Sequence, residues 1–297
     1  MTIQALKYYL IKAFLRVTAA IPLRALQLIA AVLAKMLYVF PTRIKKTTLV
    51  NLSLCYKEKS NVEIEQLAQR SIHHTSCIAL EMGKAWLLPI DKVVAMVKEV
   101  EGEEILIKAL QQKQGVILLA PHLGNWEVFG QYVCSGNEAT FLYQPPKMQR
   151  LDPLMKAVRS RGGVKLAPTN ARGVALLLKA LLRGEMVGVL PDQEPKTEGG
   201  VYAPFFGVNA LSMVLVSKLL ARTKATVVCG FAQRLPGGKG YKVVYKQADS
   251  LIYAKQLEQS VAGLNKSVEN CVSHASEQYQ WEYKRFKRRP CDADKVY

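Results

Sequence analysis

The run Ala120-Pro-His-Leu-Gly-Asn-Trp-Glu127 sets an imidazole and a carboxylate five positions apart. Histidine has an ordinary pKa of about 6.5, which suits proton transfer near neutral pH. A carboxylate folded back onto one ring nitrogen would fix the tautomer and stabilise the imidazolium formed on proton uptake, freeing the other nitrogen as a general base. On this reading His122 is the base and Glu127 its orienter. Gly124 permits a tight turn and close approach of backbone to a ligand. Backbone N–H groups at a helix start can bind developing negative charge. Taken alone, H-x-x-x-x-E fits equally well a loop histidine satisfied by its surroundings.

The flanking elements must hold this run in place. Gly115-Val-Ile-Leu-Leu-Ala120 is a continuous apolar stretch bounded by Gly and Pro, which suits a buried strand. A helix is predicted over 126–133, so the His122 turn lies at the carboxyl end of a strand, where open α/β sheets carry their sites. Further strands are predicted over 140–143, 164–167, 186–190, 225–231 and 241–246. Helices are predicted over 151–160, from a cap at Thr169 or Asn170 to Leu182, over 211–221, and as one long segment over 253–285. Residues 41–113 read as helical, with Asn61 capping a helix that ends before Pro89. The alternation predicts an α/β fold with a central mixed β-sheet flanked by helices. No repeat or linker divides it, so 41–297 reads as a single domain behind a membrane-associating helical segment, 1–40.

Composition narrows the partner. The chain has 297 residues, is half apolar, and carries 41 Lys+Arg against 23 Asp+Glu, a net +18. That apolar content excludes a disordered chain, and 19 Gly with 13 Pro exclude a collagen-like one. A basic and oily chain fits a membrane surface; nucleic acid would answer only the charge, and no nucleic-acid motif is present. No acid precedes Glu58, and the basic residues before it sit among aliphatic ones. A second basic band follows the His122 run: Lys147, Arg150, Lys156, Arg159, Arg161, Lys165, Arg172, Lys179 and Arg183. It suits a phosphorylated or acidic partner, or else simply solvates the outer faces of two helices. A third cluster, Lys284 to Arg289, reads as a solvated face.

Residues 3–40 are strongly apolar but interrupted at Pro22. Their longest uncharged run, 25–34, falls short of the about 20 residues of a spanning helix. Basic residues recur through the segment and no small-residue cleavage site follows, unlike a signal peptide. The segment reads as one or two helices lying in or dipping into a bilayer, with Lys and Arg reaching the headgroups; a pair of core helices is the alternative. Cys55, Cys77, Cys134, Cys229, Cys271 and Cys291 form no C-x-x-C pair and read as reduced thiols. No metal site and no cofactor are predicted.

His122-Leu-Gly-Asn-Trp-Glu127 resembles the H-x-x-x-x-(D/E) motif of membrane glycerolipid and lipid A acyltransferases. Tyr143-Gln-Pro-Pro-Lys147, Leu151-Asp-Pro-Leu154 and Arg159-Ser-Arg-Gly162 are similar to a second block of the lipid A lauroyl/myristoyl acyltransferase family. Gly188-Val-Leu-Pro-Asp-Gln193 and Ala203-Pro-Phe-Phe-Gly207 resemble its third. These blocks come in the family's order, and the resemblance covers essentially the whole chain. It implies an enzyme at the cytoplasmic face of the bacterial inner membrane. Such enzymes move an acyl chain from an acyl-carrier-protein thioester to a hydroxyl of a lipid A precursor, an anionic glycolipid, with no metal or organic cofactor.

With that resemblance, His122 is expected to deprotonate the acceptor hydroxyl while Glu127 orients it. Arg159 is the first candidate donor to the oxyanion and the Gly124–Asn125 backbone the second. Arg159, Arg161, Asn125, Asp192 and Lys147 are expected at the substrate. Asp192 would hold an arginine or contact the catalytic region; a cap or turn role fits it equally. Another membrane glycolipid or aminolipid as acceptor, CoA as donor, and a non-catalytic lipid- or carrier-binding protein stand as alternatives.

Overall fold

The computed structural model describes residues 3–290 and 293–297, so Cys291 lies outside the described residues. Helices come first. α1 (Ile3–Ala20) and α2 (Leu23–Val39) part at Pro22, which has no N–H to continue a helix. α3 (Arg43–Cys55) is capped by the Thr42 side chain. α4 (Asn61–Leu87) starts from a reciprocal capping box between Ser60 and Glu63, so the cap is Ser60 and not Asn61. α1 and α2 both pack along α4. α2 sets Leu26 and Ala30 against Cys77 and Leu80 of α4. α1 crosses α4 at Gly83, where a Cβ would stand 2.3 Å from the Leu15 carbonyl oxygen. Lys84 Nζ donates to the Ala19 carbonyl at 2.9 Å and caps the end of α1.

The alternating part follows: α5 (Ile90–Val94), β1 (Val97–Glu101), α6 (Glu103–Gln111), β2 (Val116–Leu119), α7 (Trp126–Cys134), β3 (Ala139–Tyr143), α8 (Asp152–Arg159), β4 (Lys165–Pro168), α9 (Ala171–Leu182) and β5 (Met186–Val189). Then come β6 (Gly200–Phe205), β7 (Val208–Met213), α10 (Leu215–Leu220), β8 (Thr226–Arg234), β9 (Tyr241–Gln247) and α11 (Leu257–Val272). Seven strands form one sheet in the order β1-β9-β8-β2-β5-β3-β4. Only the β8–β9 pair is antiparallel. The mixed α/β sheet flanked by helices is as the sequence predicts.

β2 and β5 are buried on both faces, as their unbroken apolar runs require. Successive side chains of β2 enter opposite cores. Ile117 and Leu119 meet α9 and α11; Val116 and Leu118 meet α6 and α7. After β2 the chain moves to the β3 side, and after β5 it moves to the β8 side. The crevice above these two strands is therefore the topological switch point of the sheet.

Three stretches differ from the sequence reading. β1 lies inside the region read as helical; it is a short edge strand, mostly exposed, with no apolar run to reveal it. Residues 200–213 form a separate hairpin whose tip is Phe206-Gly207, so only Leu215–Leu220 of the helix predicted over 211–221 exists. The segment predicted as one helix over 253–285 holds α11, a short 3₁₀ helix at Ser276–Gln278 and then an irregular strap to Glu282 that lies against the His122 loop.

Among the described residues no single helix is long and apolar enough to cross a membrane. α2 and α3 would be so only together, and they turn by 82° at their break. α2 is apolar on both sides. The face opposite Leu26, Ala30 and Ala34 exposes Leu28, Val32, Met36 and Val39, each more than half accessible.

Candidate active site

The site begins with strand register. Leu119 of β2 pairs with Val189 of β5 in parallel. His122 is three residues past the first and Asp192 three past the second, so both side chains emerge at one height. Each follows a proline, Pro121 and Pro191, that helps end its strand. His122 Nδ1 lies 2.8 Å from Asp192 Oδ1, and the His122 backbone N–H donates to Oδ2 at 2.8 Å. Asp192 is buried. Burial opposes its charge, but the facing imidazole and these hydrogen bonds outweigh burial and hold the carboxyl below its ordinary range. A carboxylate only accepts, so Nδ1 carries the proton and Nε2 the lone pair of the neutral ring. Nε2 faces Gln193 Nε2 at 3.3 Å. The Trp126 ring packs edge-on against the imidazole, centroids 4.9 Å apart.

The carboxylate that meets the imidazole is thus that of Asp192 and not that of Glu127. Glu127 sits in the first turn of α7, which directs its side chain toward α8. There Glu127 Oε1 accepts from Arg159 at 2.8 Å, with the carboxylate buried and the guanidinium about one-third exposed. Both residues line a cleft between α7, α8 and the sheet, whose wall is otherwise mostly apolar: Trp126, Phe129, Phe141, Val158 and Leu166 among others.

Two further residues expected at the substrate are bonded within the protein. Asn125 is fully buried and caps α7, its Oδ1 accepting from the Val128 N–H at 3.1 Å. Its Nδ2 donates to Glu81 and to the Tyr241 hydroxyl, both at 3.1 Å. Nothing on its side chain is left for a substrate. Arg161 donates to the carbonyls of Trp86 and Leu88 at 2.9 and 2.8 Å, satisfying the carboxyl end of α4. Arg161 therefore ties α4 to the α8–β4 connection, although its stem also borders the cleft. Lys147 lies exposed on the loop after β3. Part of the basic band is paired internally: Lys156 with Asp152, Lys165 with Glu138 and Glu185, and Arg183 with Glu185.

Beneath the loop lies a charged network that sequence reasoning missed. Arg234 and Glu81 form a two-pronged pair, both contacts 2.7 Å and both residues buried. Arg234 also reaches His74 Nδ1 at 3.0 Å. Burial, Arg234 and His73 push the His74 pKa down to about 2, so it stays a neutral acceptor. Glu81 in turn holds Asn125. Gly124 has φ +62°, and a Cβ there would fall 2.0 Å from the Ala232 carbonyl oxygen, so only glycine fits. The strap completes the loop. Gly124 N–H donates to the Gln278 carbonyl and Gln280 N–H to the His122 carbonyl, both at 3.0 Å. Burial raises the Glu282 carboxyl above its ordinary range, and Thr75 donates to it at 2.9 Å.

The family described as bacterial lipid A biosynthesis acyltransferase matches residues 1–288. The lipid A biosynthesis lauroyltransferase of Escherichia coli K12 is 29% identical over 259 residues, 87% of this chain and 84% of that protein. The palmitoleoyltransferase of the same organism is 29% identical over 255 residues, 83% of this chain and 80% of that protein. The myristoyltransferase is 25% identical over 250 residues, 82% and 76% of the two chains.

The Asp192 environment carries a pH prediction. Its folded pKa lies below the unfolded value of about 3.9, so its ionisation stabilises the fold fully above that value. The contribution is lost as pH falls through the folded pKa. Urea unfolding at a series of pH values should show a shallower acid loss below about pH 4 in Asp192→Asn than in the wild type. Equal slopes would contradict the assignment.

Proposed function

The chain belongs to the bacterial lipid A biosynthesis acyltransferase family, and on that premise we propose that it moves a fatty acyl chain from an acyl-carrier-protein thioester to a hydroxyl of a lipid A precursor, with His122 as the general base. It is an acyltransferase. The observation that carries the base assignment is the His122–Asp192 pair, held at the carboxyl ends of adjacent strands beside an apolar cleft.

An alcohol is a poor nucleophile at neutral pH and needs its proton removed as it attacks. The acceptor hydroxyl gives its proton to Nε2 while its oxygen bonds to the thioester carbonyl carbon. Asp192 stabilises the imidazolium that forms. The tetrahedral oxyanion collapses, the C–S bond breaks, and the departing thiolate takes the proton back from Nε2. Arg159, fixed by Glu127 on the cleft wall, is the donor for the oxyanion, so Glu127 acts by positioning Arg159. The acyl chain occupies the cleft, where Phe129, Phe141 and Val158 remove it from water.

A location at the inner membrane is supported by α1 and α2. Exposed Leu6, Leu10 and Val17 on α1, with Leu28, Val32 and Met36 on α2, would enter the apolar edge of a bilayer. Basic side chains among them would meet anionic headgroups at the cytoplasmic face of the inner membrane. The exposed Lys147, Arg150, Arg172 and Lys179 suit an acidic carrier protein or the phosphates of the acceptor.

Purified protein given labelled acyl-carrier protein and lipid A precursor should form an acylated lipid. His122→Ala should lower that rate by about 10²–10⁴-fold with circular dichroism unchanged; full activity in His122→Ala would remove it as the base. Sedimentation with anionic vesicles tests the membrane face. Leu28→Glu combined with Val32→Glu should weaken binding at least about tenfold, since burying one such aliphatic side chain contributes roughly 1.5–3 kcal/mol. Unchanged sedimentation would place the apolar face elsewhere.

A further inference from the structure

The two ring nitrogens of His122 are held by two consecutive residues. Asp192 takes Nδ1 and Gln193 takes Nε2. Because Nδ1 donates to a carboxylate, the neutral ring offers only a lone pair at Nε2, and what faces that lone pair must donate. The Gln193 carboxamide therefore presents its NH₂ there, at 3.3 Å. The same NH₂ donates its second hydrogen to Gln280 Oε1 at 3.1 Å. Turning the Gln193 amide over would set oxygen against both acceptors, so the two contacts fix its orientation together.

Gln280 is itself well anchored. Its backbone N–H donates to the carbonyl of His122, the residue whose ring it serves through Gln193. On either side of it, Tyr279 bridges to Leu123, and the Trp281 carbonyl accepts from Asn51 at 2.6 Å. The strap thus holds one carboxamide, which orients a second, which occupies the basic nitrogen of the proposed catalytic histidine.

That nitrogen is where the attacking hydroxyl must deliver its proton. Gln193 and the acceptor hydroxyl compete for one lone pair. We propose that Gln193, oriented by Gln280, is a positioning residue that latches the free base. It keeps Nε2 from activating water against a bound thioester until the acceptor hydroxyl displaces it. The reaction it suppresses is hydrolysis. Water gives a proton to Nε2 as its oxygen bonds to the carbonyl carbon. The C–S bond breaks, the thiolate recovers the proton, and a free fatty acid leaves with the thiol. Exclusion of such side reactions is a general demand on sites that handle activated acyl groups. This inference rests on the reading of His122 as the base.

The test compares hydrolysis of acyl-carrier protein without acceptor against transfer with acceptor. Gln193→Met keeps the length of the side chain and removes the donor; Gln280→Met keeps Gln193 and removes its guide. Both variants should hydrolyse the donor about two- to tenfold faster than the wild type, the range expected from losing one ordinary hydrogen bond. The ratio of hydrolysis to transfer should rise with it, whereas a merely structural role would lower both rates. If Gln193→Met does not fold, Gln280→Met carries the same test. A folded variant that hydrolyses no faster than the wild type overturns the latch. His122→Ala combined with Gln193→Met should abolish the gain. If the gain survives in that double variant, the base assignment fails; if Gln193→Met alone shows no gain while His122→Ala abolishes transfer, only the latch fails.

Discussion

The register of β2 against β5 is the constraint on which the site depends. Parallel pairing of Leu119 with Val189 makes the two strands end together, so the third residue beyond each reaches the same point above the sheet. There a histidine meets a buried carboxylate at 2.8 Å. A slip of one residue would turn both β2 core faces over and separate the pair. The unbroken burial of both strands fixes that register, so the hydrophobic core and the His122–Asp192 pair are set by the same residues.

A buried charge needs partners, and the structure supplies two such arrangements side by side. Asp192 is satisfied above the sheet by the ring and the backbone N–H of His122. Glu81 is satisfied by Arg234 and Asn125 below the loop. Breaking one partner of a buried pair typically costs about 3–5 kcal/mol, because the other charge is left uncompensated. The loop between the two networks is thus held from both sides, with Gly124 admitting the Ala232 backbone and the strap closing the third side. The basic charge divides in a related way. Several residues of the band after the His122 run are neutralised internally, while most of those before Glu58 are exposed on or just after α1, α2 and α3.

Much of this was legible in the residues. The central strands, the His122 turn and the helix after it follow from apolar runs and punctuation by Gly and Pro. The pairing of His122 was not, because H-x-x-x-x-E draws attention to sequence neighbours while β5 is brought alongside by the sheet. A signal did exist: Leu119-Ala-Pro-His122 and Val189-Leu-Pro-Asp192 share one pattern, a buried strand followed by proline and a polar residue. Asn125 and Arg161 looked available for substrate because a side chain's hydrogen-bond partners are invisible before folding. The strap was read as helix because its alternation of Tyr, Trp and charge is compatible with either period once neighbouring α11 is extended through it. Its role comes from long-range contacts, among them those with the His122 loop, Asn51 and Thr75.

The claim that Asp192, and not Glu127, fixes the tautomer of the base is tested most directly by the turnover of Asp192→Asn in acyl transfer. An asparagine of the same shape would favour the wrong tautomer, and kcat should fall by up to about 10⁴-fold with the fold preserved. Turnover close to that of the wild type would show that another group orients His122 and would contradict the account.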